Sequence, residues 1–372
     1  MSPRSISSPP ARSALFLLAL SGIPLLSLAQ HSVSVPIEIE HSSNPALTIA
    51  EAVGVTRFRV SPQYTIQRRN GPTETRFSFG GVLERSSNTA VSNHRSDPNL
   101  SFAVEHVFPT SRVALGLSIS ESSNRQEEFS ETGVVAADAT QRNVVLDGAW
   151  SRELSNVSRF ELGLRAAKVG FDTPTLVGYR EVRSSAGVSY DLLEATQVTT
   201  RWEVSRLEPA QGAARSSRNG AVVGLSTQLN EAFHFVAETG TVRISGQGST
   251  RTPSTLLRLN YAGERLSSTL EWSRSAAPSG TLGGYTSTRL IGWTMDYAWT
   301  ERTSISLATS QARSQGEGGA VGSTLLAGLR HSVSEFWAIE ARLGQLRTRP
   351  NAGGSATSNV VGLVLAYSHP DF

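Results

Sequence analysis

Few residues in this chain have the types and spacing to do chemistry. Its seven histidines are His31, His41, His94, His106, His234, His331 and His369. His234 stands four residues from Glu238, on one face of a strand, and His331 precedes Ser332 beside a short turn. Neither has a third partner identifiable from spacing, and triad chemistry needs a base that is itself oriented. Hydrogen-bonded wall or interfacial histidines are therefore the simpler expectation. There is no G-x-S-x-G elbow, H-E-x-x-H pair or Walker loop. The glycine-rich run 316–322 resembles a dinucleotide loop but has no helix after it. With no cysteine in 372 residues, thiol nucleophiles and Cys-based zinc sites are excluded. The sequence predicts no catalytic residue, metal or cofactor, and no enzyme.

The remaining candidates are charges set between apolar residues. Arg57 and Arg59 alternate with Phe58 and Val60. Glu161 and Arg165 interleave with Phe160, Leu162 and Leu164, and Arg201 and Glu203 flank Trp202. His234, Arg258, Glu271, Asp296, Glu340 and Arg342 occupy equivalent positions. In water such alternation describes any sheet with one wet face. In a bilayer each lipid-facing Arg would cost roughly 2–4 kcal/mol near the midplane, so these side chains must face a polar lumen. There they could pair into ladders that stiffen a wall, or line a path for anionic solutes. The net charge is only +3, and Arg4 and Arg12 belong to the leader described below, so near-balance favours pairing. It also argues against nucleic acid as a partner.

Period-2 alternation recurs from Thr56 to the end. The last example is Val361, Leu363, Leu365 and Tyr367. Short turns at Pro109–Ser111, Glu153–Ser158, Asp191–Thr196, Asn230–Ala232, Ala262–Arg265, Thr300–Thr303 and Val333–Glu335 alternate with longer polar connections. The long ones are 85–99, 121–140, 208–219, 245–253, 276–287, 311–322 and 347–358. Short turns on one side and long loops on the other are the pattern of outer-membrane barrels. Phe108, Trp150, Phe160, Tyr190, Phe233, Tyr261, Tyr297, Trp299, Trp337 and Tyr367 cluster at the short-turn end, as an aromatic girdle would. The expected fold is all-β: a transmembrane antiparallel up-and-down β-barrel. Seventeen strands can be counted from Phe58 to Tyr367. An N-terminal strand near Val33 or in 46–53 makes eighteen, and loss of a weak one gives sixteen.

The first 29 residues read as a signal peptide, with Arg4 and Arg12 before an apolar segment and Ser27-Leu28-Ala29 before the cleavage point. Residues 30–55 form an N-terminal segment, a first strand or a plug, with a short helix conceivable around 46–52. Residues 56–372 form the barrel, placed in the bacterial outer membrane. Tyr367 and the terminal Phe372 are expected to serve as an assembly signal.

Asp97-Pro98-Asn99-Leu100, Glu131-Thr132-Gly133-Val134-Val135, Asp138-Ala139-Thr140-Gln141-Arg142 and Ala366-Tyr367-Ser368-His369 carry a resemblance. The chain resembles the uncharacterised outer-membrane β-barrel proteins associated with exopolysaccharide and PEP-CTERM loci of proteobacteria. Those commonly end in Tyr-Ser-His, a basic residue and Phe, whereas Pro370-Asp371 stand in the gap here. The resemblance implies an outer-membrane location and a link to polysaccharide export, and nothing catalytic. The expected function is a passive pore or export component, for polysaccharide or small solutes. The alternatives are a structural barrel with a blocked lumen and a lumen- or rim-sited hydrolase. Expected partners are outer-membrane lipid and lipopolysaccharide, the barrel-assembly machinery and polysaccharide.

Overall fold

A computed structural model describes residues 29–134, 138–210, 214–246, 249–279, 284–315 and 318–370. Residues 1–28 of the expected leader, Gly316-Glu317 of the glycine-rich run and Phe372 lie outside the described residues. The first strands are β1 (Gln30–Ser42), β2 (Val55–Val60), β3 (Gln63–Asn70), β4 (Thr73–Ser86), β5 (Arg95–Val107) and β6 (Ser111–Ser123). A helix, α1 (Asn124–Thr132), follows. Then come β7 (Thr140–Ser155), β8 (Ser158–Phe171), β9 (Tyr179–Leu193), β10 (Thr196–Pro209), β11 (Ser216–Gln228), β12 (Phe233–Ser245) and β13 (Ser249–Ala262). The last are β14 (Leu266–Ser279), β15 (Gly284–Ala298), β16 (Thr303–Ser314), β17 (Ala320–Ser332), β18 (Trp337–Pro350) and β19 (Ala356–His369).

Apart from β2 and β3, which do not pair with each other, each strand pairs antiparallel with its sequence neighbours, and β19 pairs with β1 from Val33↔His369 to Ser42↔Val360, which closes the sheet. β2 and β3 together occupy one position between β1 and β4 in unbroken register. The barrel therefore has eighteen strand positions. The break has a chemical cause. Ser61 donates to the Pro36 carbonyl and Gly81 to the Pro62 carbonyl, but neither proline has an N–H to return. Gly80 is required beside this break, because a Cβ there would lie 2.4 Å from the Pro62 carbonyl oxygen.

The two faces separate as the alternation demands. Ile39, Leu115, Leu164, Trp202, Leu343 and Leu363 are exposed on the outside, while Glu38, Glu84, Glu181 and Arg218 are buried inside. At the short-turn end the outer aromatics meet across strands, with centroids 4.8 Å apart at Phe233–Tyr261 and 5.0 Å at Trp337–Tyr367. Such pairs combine girdle function with cross-strand packing.

Of the readings open for residues 30–55, the first strand is the one formed: β1 starts at Gln30 and belongs to the wall. Three expectations are corrected. The segment 43–54 contains no helix; it is a loop that buries Leu47 inside. Strand extends into both ends of the long connections. β12 and β13, for example, stay paired to Ser245↔Ser249 within the expected loop 245–253. Beyond the membrane both faces of a hairpin are wet, so polar residues continue a ladder without any burial cost. Finally, the polar stretch 121–140 contains α1.

Candidate functional site

The twelve lumen candidates all fall on the inward face of the register, spread around the wall rather than gathered at one centre. At the closure, Glu38 binds Arg59 at 3.0 Å and Arg342 at 3.3 Å. Arg59 also reaches Glu84 at 2.7 Å, Arg342 reaches Glu340 at 2.5 Å, and Arg57 reaches Glu40 at 3.1 Å. Across the barrel, Arg201 pairs with Glu203 at 2.8 Å and Glu238 at 3.2 Å, and Arg218 joins Glu203 at 3.0 Å. Arg258 pairs with Glu271 at 2.6 Å and Arg165 with Asp147 at 3.2 Å. Glu161 and Asp296 make no ion pair among the described residues.

His234 does not engage Glu238, which is held by Arg201. Its Nε2 lies 2.9 Å from the Ser226 hydroxyl, and its Nδ1 3.5 Å from the Asn260 amide. A serine, an imidazole and an amide in a row are part of what hydrolysis needs. The backbone around Ser226 is paired on both sides, with β10 and β12, so no spare N–H faces a developing oxyanion.

The residues that shape the lumen were not singled out by alternation. α1 leaves β6 and crosses to the far wall. Its C-terminal Gly133 adopts the left-handed conformation at φ 73° and donates to the Phe129 carbonyl, a common helix stop. Thr348 on β18 donates to the Gly133 carbonyl at 3.1 Å. On β17, a Cβ at Gly322 would meet the Gly133 Cα at 2.6 Å. Phe129 packs with Leu47, Leu346 and Ala356, so the loop 43–54 braces the helix from behind. The loop after β4 joins them: Arg125 donates to the Val91 carbonyl at 3.2 Å and Asn93 N–H to the Asp138 carboxylate at 2.8 Å. A second bridge spans the lumen where the Tyr285 hydroxyl on β15 donates to Glu181 on β9 at 2.8 Å and meets Ser205 on β10 at 2.6 Å.

Between α1 and the β7–β9 wall lies a cavity of about 370 Å³. The helix presents Glu127, Glu128 and Glu131 to it, and the wall presents Arg165, Arg183 and Glu181. Arg165 and Arg183 also border a second cavity of about 420 Å³, lined by Ala103, Ala114, Gly116, Ala149 and Gly163. The two spaces meet at those arginines, one polar and two-signed, the other lined by small and apolar residues beside Asp147. Enclosure by the surrounding wall, then the charges of Glu127 and Glu128, push the Glu131 carboxyl above the usual range, although its side chain reaches lumen water.

No family model matches the chain, and no curated protein matches it. Solved structures do. The fold is that of bacterial outer-membrane barrels. OccAB4 of Acinetobacter baumannii superposes with a TM-score of 0.54 at 9% identity, covering 93% of this chain and 99% of its own. OccK11 (OpdR) of Pseudomonas aeruginosa gives 0.52 at 11%, covering 92% and 96%. The outer membrane protein OpdK of the same organism gives 0.50 at 10%, covering 92% and 98%. At these identities the likeness is one of fold. Outer-membrane architecture orients the molecule: the short turns at Phe108–Ser111 and Val333–Trp337, with both barrel ends, face the periplasm, and α1 lies toward the cell exterior.

Proposed function

We propose that this chain is a passive outer-membrane pore for small polar solutes, constricted by α1. The observation that carries this is a pinned helix crossing the lumen beside two cavities joined at Arg165 and Arg183. An eighteen-strand barrel without such an insert would leave a wide aqueous lumen. The helix reduces the space at that level to one that suits a small solute, not a polymer. Small-solute passage is therefore preferred to polysaccharide export, which would require α1 to leave. Around the outer cavity carboxylates outnumber arginines, so the constriction favours cations.

A structural barrel with a blocked lumen is the second reading, favoured by the dense wall pairing and the Tyr285–Glu181 bridge. Planar-bilayer recording of the refolded protein separates the two. Stepwise currents with a reversal potential displaced toward the cation side are expected in a salt gradient. Absence of current at every voltage would remove the pore and leave the structural barrel.

A further inference from the structure

The outside of the barrel carries a second charge pattern, unrelated to the lumen. Arg274 on β14 stands directly opposite Arg289 on β15, and Arg289 opposite Arg313 on β16. The same row continues through Val321 on β17 to Arg349 on β18, with Arg347 two residues along. On the neighbouring hairpin Arg243 of β12 faces Arg251 of β13. All seven occupy outward positions of the register. Arg243, Arg251, Arg289, Arg313, Arg347 and Arg349 are exposed and Arg274 is half-buried.

Among the described residues no acidic side chain answers them. Between Arg243 and Arg349 the described carboxylates are Glu264, Glu301 and Glu335 in or beside the periplasmic turns, and Glu271, Asp296 and Glu340 on the lumen face. Like charges placed directly opposite one another destabilise a sheet. Here the arrangement is repeated over five strands, on the exterior and toward the outer end. Adjacent strands lie about 4.8 Å apart, so Arg274, Arg289 and Arg313 span roughly 10 Å. The next outward residues below are Trp272 and Ile291, which begin the apolar band. Eight residues separate Arg289 from Tyr297 in the girdle, about 27 Å along the strand. With a tilt near 40° this is close to the height of the apolar band of such barrels. The arginines thus sit at the level of outer-leaflet headgroups, where a guanidinium costs little and can fork onto phosphate oxygens.

We infer that this row is a docking surface for phosphate-bearing glycolipid of the outer leaflet, lipopolysaccharide, whose phosphates supply the anions that no described carboxylate provides on this face of the barrel. The inference rests on the outer-membrane orientation and not on the pore. The test uses refolded full-length protein and a variant carrying Arg274→Gln, Arg289→Gln and Arg313→Gln. Heat-modifiable migration first establishes that both are folded, and bilayer conductance is expected to be equal in the two. Binding is then measured by native mass spectrometry and by the rise in unfolding temperature on adding lipopolysaccharide, its dephosphorylated form, or inorganic phosphate. The wild type is expected to bind lipopolysaccharide at least tenfold more tightly than the variant and than the dephosphorylated lipid. Equal binding by wild type and variant would overturn the proposal. So would equal binding of both lipid forms, or an equal rise with inorganic phosphate alone. Should the triple variant fail to fold, Arg289→Gln alone is measured in the same way, with a smaller loss expected. A pore that proves closed would leave these outcomes unaffected.

Discussion

Glu131 is the residue at which lumen electrostatics become measurable. Its raised pKa means that it takes up a proton at a higher pH than an ordinary glutamate. As pH falls from neutral, the constriction loses the charge of Glu131 at a higher pH than an ordinary glutamate would lose it. Cation preference is therefore expected to drop above the usual glutamate range, and Glu131→Gln should remove that drop. Reversal potentials recorded across a pH series check this; an unchanged drop in the variant would assign it to another group. The same shift has a sign for stability. Ionised Glu131 disfavours the folded state, so its contribution worsens as pH rises through the window above the unfolded pKa, and the Gln variant should flatten that slope. Gly322 makes a steric counterpart. The Cβ and methyls of Gly322→Val would collide with Gly133, whose own φ favours glycine. Displacement of the α1 C-terminus and a larger, noisier conductance are expected in single-channel records.

At the scale of elements, the closing seam concentrates the wall chemistry. Glu38 on β1 joins Arg59 on β2 to Arg342 on β18, bridging over the β19–β1 closure with a side chain only 10% exposed. Glu38→Ala leaves Arg59 with Glu84 and Arg342 with Glu340, but it removes the link across the seam. A loss of about 1–3 kcal/mol is expected for charged hydrogen bonds of this kind. It should show as heat-modified migration at a lower temperature than wild type, and an unchanged transition would mean that the backbone ladder alone holds the closure. The strands themselves were legible because membrane and lumen impose opposite chemistry on alternate residues: Phe58 against Arg59, or Leu257 against Arg258, marks a strand, and the alternation of short and long connections marks the barrel. The loops were not legible in the same way. Ser245 and Ser249 remain paired where nothing apolar marks them, since a ladder in water needs no apolar face. The helix α1 left only a weak mark. Its run Asn124–Thr132 has good helix formers and ends at Gly133, but what fixes it is contact with Gly322 and Thr348, far away in sequence. Wall charges were placed by parity, whereas Glu127, Glu128 and Glu131 became part of the site only through that long-range packing.

For the whole molecule, the decisive question is whether the lumen conducts, and α1 allows it to be put as a size measurement. A barrel of eighteen strands encloses more space than its wall side chains fill. Three inserts reduce it: α1, the loop 43–54 behind Phe129, and the loop after β4 held through Arg125 and Asn93. All three approach from the exterior side, and none supplies a strand of the wall. Their removal should therefore leave the barrel closed. Replacing residues 124–134 with a short Gly-Ser linker is expected to preserve heat-modifiable migration and to raise single-channel conductance at least twofold. Cation preference should fall at the same time, because Glu127, Glu128 and Glu131 go with the helix while Arg165 and Arg183 stay on the wall. The two effects need not be coupled in a barrel blocked elsewhere. If the linker variant conducts no better than wild type, the bridge of Tyr285 to Glu181 and Ser205 becomes the narrowest point. Tyr285→Ala should then open the path that the linker did not. If neither change raises the current of a folded barrel, α1 is a structural brace and the lumen is not a route for solutes.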